Sequence, residues 1–267
     1  MTGLARSKGY ALLVGVVRRW AISALATGLL AAGCSAVPPQ PGSAPSVAAV
    51  RPSGQTGSAA SPVSSPSAQA PSESLRPSTK PVDDRSGKQL GHPFTVNGMV
   101  VVSAKHKVSA AYRPSVGAYG LTPAAGKAFA GLKRAIEKAG LRLYVVSSYR
   151  SHAAQQALYA SKLASMGRAY TQKYVAVPGT SEHQTGLAVD LRSPGGRGTS
   201  FDNSREWRWL RAHAQNYGFV LRYPDGLTKV TGIGFEPWHW RYVGVEQAKA
   251  IRALGANMTI EQYLRLA

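Results

Sequence analysis

From about residue 92 onward, apolar and polar positions follow patterns that switch period several times. Phe94-Thr95-Val96 and Met99-Val100-Val101-Val102 flank Asn97-Gly98, a pairing that predicts a β-hairpin. Thr122 can cap a helix with Pro123 in its first turn, running to Gly140. Leu141 to Ser148 predicts a strand, with Tyr144, Val145 and Val146 in its middle. Ser151 can cap a second helix, through Gln155, Leu158 and Tyr159 towards Met166. Leu187 to Leu191 predicts another strand. Ser204 can cap a third helix, with Trp207, Leu210 and Ala214 on one face and Gly218 after it. Phe219-Val220-Leu221 and His239 to Val243 predict strands, Glu246 to Leu254 a helix, and Thr259 the cap of a last one. Helices set before and between strands predict an α+β fold, a single compact domain over 92–267 with a central antiparallel sheet and flanking helices.

The preceding residues carry a different pattern. Residues 35–91 are rich in Ser, Pro, Ala, Gly and Gln and lack aromatics. Such a composition buries too little surface to offset chain entropy, which predicts a disordered N-terminal tether. Residues 1–34 read as an export signal. Arg6, Lys8, Arg18 and Arg19 precede an uncharged, mostly apolar stretch from Trp20 to Ala32. The stretch ends Leu29-Leu30-Ala31-Ala32-Gly33-Cys34, which resembles a bacterial lipobox with Cys34 as the lipidated residue. Ala31 stands where Leu is commoner, so ordinary signal-peptidase cleavage and an uncleaved anchor stay open. The expected location is the cell envelope, with the domain tethered to the outer face of the cytoplasmic membrane.

Charge narrows the partners. The formal net charge is +20, and residues 92–267 alone hold 23 Lys+Arg against 9 Asp+Glu, a net of +14. No continuous basic stripe and no nucleic-acid motif is present, so the expected partners are an anionic wall or membrane surface rather than nucleic acid. Charge that serves only solubility is the plainer alternative. Cys34 is the single cysteine, which excludes an intrachain disulfide and an all-cysteine metal site.

Candidate chemistry starts at Asp190, a carboxylate inside the apolar run Leu187-Ala188-Val189-Asp190-Leu191. Burying it is costly unless something pairs with it, and a metal ion is an economical partner. His183 offers a second ligand and His239 a third, the number a catalytic zinc takes beside water. Glu236 is then free to act as general base, taking a proton from the attacking water and returning one to the leaving amine. Glu236 and His239 stand three apart in a predicted strand, so both can face one metal only if the backbone bends near Pro237. His92, His106, His152 and His213 are expected to be ordinary structural or surface residues.

These residues carry a family resemblance. Ser181-x-His183-x-x-Gly186-x-Ala188-x-Asp190, followed by Glu236-x-x-His239, resembles the zinc D-alanyl-D-alanine carboxypeptidases and dipeptidases of peptidoglycan. Pro178 to Gly186, Glu236 to Gly244, and Ser148-Tyr149-Arg150-Ser151 with Gln155 are similar to the VanY-like carboxypeptidase branch, over roughly residues 96–245. The resemblance implies a hedgehog/DD-peptidase-like fold with zinc on His183, Asp190 and His239. It implies Glu236 as base, Arg150 as support for the oxyanion, and Gln155 and Ser181 as substrate contacts. Ser148, Tyr149 and Trp238 are expected to line the same pocket. The expected reaction is removal of the terminal D-alanine from a peptidoglycan stem peptide by a monomeric enzyme, by attack of a zinc-activated water. Alternatives are an endopeptidase or a dipeptidase on the same fold, or a wall-binding module without turnover.

Overall fold

A computed structural model describes residues 75–77, 80–86 and 91–267. The export segment 1–34 with Cys34, and most of the 35–91 stretch, lie outside the described residues. Residues 83–85, which composition assigns to the tether, pack on the domain. Asp84 N donates to Thr95 O at 2.7 Å, Gly98 N donates to the Asp84 carboxylate at 2.8 Å, and Arg85 lies over the Phe94 ring.

The hairpin forms as the Asn97-Gly98 signal predicts. Strands β1 (Thr95–Val96) and β2 (Met99–Val100) pair antiparallel, and Asn97 and Gly98 both take positive φ. Helix α1 (Pro123–Lys138) follows Thr122 and has Pro in its first turn. Strand β3 (Tyr144–Ser147) is shorter than the 141–148 expected. Helix α2 (His152–Tyr174) is capped by Ser151, whose hydroxyl accepts from Ala154 N. It runs beyond the expected end at Met166. Gly167 (φ 77, ψ 171) breaks the helical path without ending it, since the chain resumes helix after one non-helical residue.

Strand β4 (Ala188–Arg192), helix α3 (Arg205–His213), strand β5 (Phe219–Leu221), the short helix α4 (Thr228–Thr231), strand β6 (His239–Tyr242), helix α5 (Val245–Leu254) and helix α6 (Ile260–Tyr263) follow. The four-stranded sheet has the order β3-β4-β6-β5, antiparallel throughout. The apolar stripe of α1, at Ala125, Phe129, Leu132 and Ile136, packs on Val189 and Leu191 of β4 and on Trp240 of β6. A second cluster joins Val96, Met99 and Val101 to Ala248 and Ile251 of α5 and Ile260 of α6.

Strand alternation decides what the sheet does. Val189, Leu191 and Trp240 face the α1 core, so Asp190, His239 and Arg241 face the opposite side. Asp190 is buried, but across the sheet from its apolar neighbours in sequence rather than among them.

Candidate metal centre

Three segments meet on the polar face of the sheet. His183 sits in a single 3-10 turn, Glu182–Thr185, which closes on Gly186 in the left-handed region (φ 67) and leads into β4. Gly186 is required there twice over. Its backbone is left-handed, and a Cβ would stand 2.8 Å from Val116 Cγ1. Asp190 lies in the middle of β4, where the register sets it directly opposite His239 of β6. The bend expected near Pro237 is present as a turn: His239 N donates to Glu236 O at 3.1 Å, and Leu191 N takes Trp238 O as acceptor at 2.9 Å. The turn brings the Glu236 carboxylate to 3.5 Å from His239 Nδ1.

His183 Nε2 stands 3.2 Å from Asp190 Oδ2, and His239 Nδ1 stands 3.2 Å from Asp190 Oδ1. One ligand atom from each of the three residues falls within 4.8 Å of the others. Two ligands held tetrahedrally about 2.0–2.1 Å from one ion stand roughly 3.3 Å apart, so the spacing suits zinc. The proton positions suit it too. His183 Nδ1 lies 2.6 Å from the Ser148 carbonyl, which can only accept, so Nδ1 carries the hydrogen. Burial holds His183 towards its neutral form, which leaves a lone pair on Nε2 facing a carboxylate oxygen. Two acceptors aimed at each other in a buried site are satisfied by a cation between them. Asp190 Oδ1 is likewise buried without a hydrogen-bond donor.

The surrounding field favours positive charge. Burial opposes charge on His239, but the carboxylates of Asp190, Glu182 and Glu236 outweigh it and push its pKa up to about 9. Burial raises Glu236 to about 8, helped by Asp190, which places its proton exchange near neutral pH. Asp190 stays ionised despite burial, held well below the usual carboxylate range by His183 and His239.

Arg150 follows β3 and is clamped. Its Nη1 donates to Gln155 Oε1 and its Nη2 to Ser147 Oγ, both at 2.7 Å, and Nη2 lies 3.8 Å from Asp190 Oδ2. Arg150 N donates to the His183 carbonyl, tying the cation to the ligand segment. Gln155 is buried and donates to Ala176 O at 2.6 Å, so it positions Arg150 as well as facing the cavity. A cavity of about 160 Å³ adjoins the three ligands and is walled by Arg150, Gln155, Ser181, Glu236, Trp238 and Tyr223, among others. Ser148 and Tyr149 do not line it, contrary to expectation. Ser148 acts through its carbonyl on His183, and Tyr149 N donates to Gly120 O.

Comparison with known proteins identifies the family. Residues 119–245 match the family profile described as VanY, D-alanyl-D-alanine carboxypeptidase. A bifunctional D-Ala-D-Ala dipeptidase and carboxypeptidase of Enterococcus gallinarum is 39% identical over 138 residues, covering 49% of this chain and 72% of that protein. The chain belongs to the VanY family. A VanY D,D-pentapeptidase of a VanB-type resistance cassette, solved with Zn(II), aligns with 31% identity and TM-score 0.54, covering 62% of this chain and 97% of that one. The L,D-carboxypeptidase LdcB aligns with 29% identity and TM-score 0.55, covering 65% of this chain and 92% of that one. A putative carboxypeptidase of Bacillus subtilis is 39% identical over 132 residues. The chain spans about half the length of that relative, at 48%.

The VanY-type centre has an electrostatic layer that the sequence reading missed. Glu182 is buried and accepts from Arg222 Nε at 2.7 Å and Arg241 Nη1 at 2.5 Å, while its second oxygen stands 3.4 Å from His239 Nε2. Arg222 also pairs with Glu261 of α6, and Arg241 Nη2 donates to Val100 O. Burial opposes charge on Glu182, but the two guanidinium groups hold it well below the usual range. The signal was available: Arg222 and Arg241 each end or interrupt an apolar strand, as Asp190 does. Tyr223 was missed too; its ring centroid lies 4.8 Å from that of His239.

Proposed function

We propose that this chain is a zinc-dependent D-alanyl-D-alanine carboxypeptidase that removes the terminal D-alanine from peptidoglycan stem peptides. The observation that carries the reading is the buried Glu236 carboxylate beside His239, in one cavity with Arg150 and the three candidate ligands. His183 Nε2, Asp190 and His239 Nδ1 would hold the zinc. When bound, it supplies a Lewis acid and lowers the pKa of water towards neutrality.

The chain's own groups do the rest. Glu236, with its pKa raised to about 8, accepts a proton from the attacking water and delivers one to the leaving amine. Arg150, fixed by Gln155 and Ser147, offers its guanidinium to the oxygen that gains charge at the scissile carbonyl. Glu182 keeps the His239 ring oriented from behind, as outer-sphere carboxylates do for ligating histidines. Ser181 and Trp238 wall the pocket that receives the peptide end.

Export through residues 1–34 and lipidation at Cys34 would place the domain at the outer face of the cytoplasmic membrane, beside an anionic wall that suits its basic surface. The structural likeness to L,D-carboxypeptidases favours a second reading, cleavage of a tetrapeptide stem at its L,D bond. Incubation of the zinc-loaded protein with pentapeptide stem, tetrapeptide stem and free D-Ala-D-Ala, with products weighed by mass spectrometry, separates these readings from a dipeptidase. Release of D-alanine from the pentapeptide alone is expected. No hydrolysis of any of the three by zinc-loaded protein would leave a wall-binding module.

A further inference from the structure

A second cavity, of about 400 Å³, shares Asp190 and Trp238 with the first. Val146, Leu191, Arg192, Arg197 and Gly198 complete its wall. The two spaces therefore share one candidate ligand, Asp190, and a peptide running past it can occupy both. They differ in size and in the cations that line them, Arg150 and Lys162 in the first, Arg192 and Arg197 in the second. The first, at about 160 Å³, is less than half the size of the second and suits a small residue. The second is larger and carries two guanidinium groups.

Neither of those groups has an acidic partner among the described residues. Arg192 lies 4.4 Å over the Tyr144 ring and donates from Nη1 to the Ser193 carbonyl, while Arg197 is exposed on the loop after β4. The mechanism proposed above uses neither. One wall of the cavity is the end of β3, an edge strand of the sheet. A bulge between Val145 and Ser147 leaves Val146 without a partner opposite β4, and the residue is 60% exposed. A bulged edge beside a catalytic centre leaves backbone groups and an apolar side chain open to an extended peptide.

We infer that this second cavity is a subsite for the uncleaved, N-terminal part of an acidic peptide, with Arg192 and Arg197 binding its carboxylates. The inference rests on the carboxypeptidase reading and adds a direction and a charge to it: the departing residue sits on the Arg150–Gln155 side, and the retained chain runs past Val146. Planar guanidinium groups suit carboxylates, and two of them select a chain with more than one negative charge.

The test compares three peptides ending in D-Ala-D-Ala. One is a short neutral diacyl tripeptide, one a pentapeptide with free side-chain carboxylates before the D-alanines, and one that pentapeptide with those carboxylates amidated. The unaltered protein should show a KM at least tenfold lower for the acidic than for the amidated pentapeptide, with the difference shrinking in 0.5 M salt. The double variant Arg192→Gln, Arg197→Gln should lose most of that preference, so that the acidic-to-short ratio of kcat/KM falls at least tenfold. A variant that keeps the acidic preference, or one that loses the same factor on all three peptides, overturns the subsite. Absence of hydrolysis of all three peptides by the unaltered protein would instead remove the carboxypeptidase reading, and the subsite with it.

Discussion

Glu182 Oε2 stands 3.4 Å from His239 Nε2, on the side of the ring away from Asp190. That one contact links the candidate metal ligand to a buried set of charges, since the same carboxylate accepts from Arg222 and Arg241. Outer-sphere carboxylates of this kind typically contribute about 10–100-fold in metal affinity. Glu182→Gln should weaken zinc binding by that factor in a chelator competition. It should also lower the stability of the metal-free protein by about 3–5 kcal/mol, because two buried guanidinium groups lose their shared anion. Unchanged affinity alongside lowered stability would mean that Glu182 serves the fold alone.

Glu236 can be separated from the metal. Its carboxylate lies beside His239 but is not one of the three clustered ligands. Glu236→Gln should retain zinc at one ion per chain by elemental analysis, while kcat on the pentapeptide falls by about 10²–10⁴. Full turnover in this variant would remove Glu236 from the role of base.

Arg150 is held by two side chains at once, Gln155 and Ser147. Arg150→Lys keeps a charge but cannot reproduce both hydrogen bonds. A loss of about 10²–10³ in kcat is expected, with KM little changed, if the guanidinium acts on developing charge as an oxyanion donor does. A change confined to KM would instead place Arg150 in ground-state binding.

Zinc affinity should depend on pH in a defined direction. In the metal-free protein His239 holds its proton up to about 9, above its ordinary 6.5, and must release it to ligate through Nδ1. Affinity should therefore rise towards tenfold per pH unit between about 6.5 and 9 and flatten above. By the same linkage, the metal-free fold has the full benefit of protonated His239 below 6.5 and loses it as pH rises through about 9. Glu236, raised to about 8, adds the same sign. Chelator competition and thermal unfolding at pH 6.5, 7.5 and 8.5 measure both effects.

Gly186→Ala tests the local geometry of the ligand segment. Its φ of 67 and the 2.8 Å approach to Val116 predict a loss of about 1–3 kcal/mol in denaturant unfolding. Zinc affinity should fall with it, because Gly186 closes the turn that carries His183.

Much of this protein is readable along the chain. Hairpin, helix starts and strands are marked by local features: Asn97-Gly98, the caps at Ser151, Ser204 and Thr259, and apolar runs of fixed period. These depend on neighbours within a few residues, so one dimension suffices. The candidate ligands were legible because Asp190 breaks an apolar run and two histidines recur in ordered motifs. Other facts arise only when strands pair. Register sets Asp190 opposite His239, and alternation turns both away from the α1 core, which no single segment encodes. The β3 bulge, the Glu182–Arg222–Arg241 cluster and the two cavities that share Asp190 and Trp238 likewise join residues tens of positions apart. Ser148 shows the difference most directly: its side chain was expected in the pocket, yet its carbonyl fixes the tautomer of His183. Residue type announces a possible ligand or base, whereas distance, burial and proton placement come from the packing of distant segments.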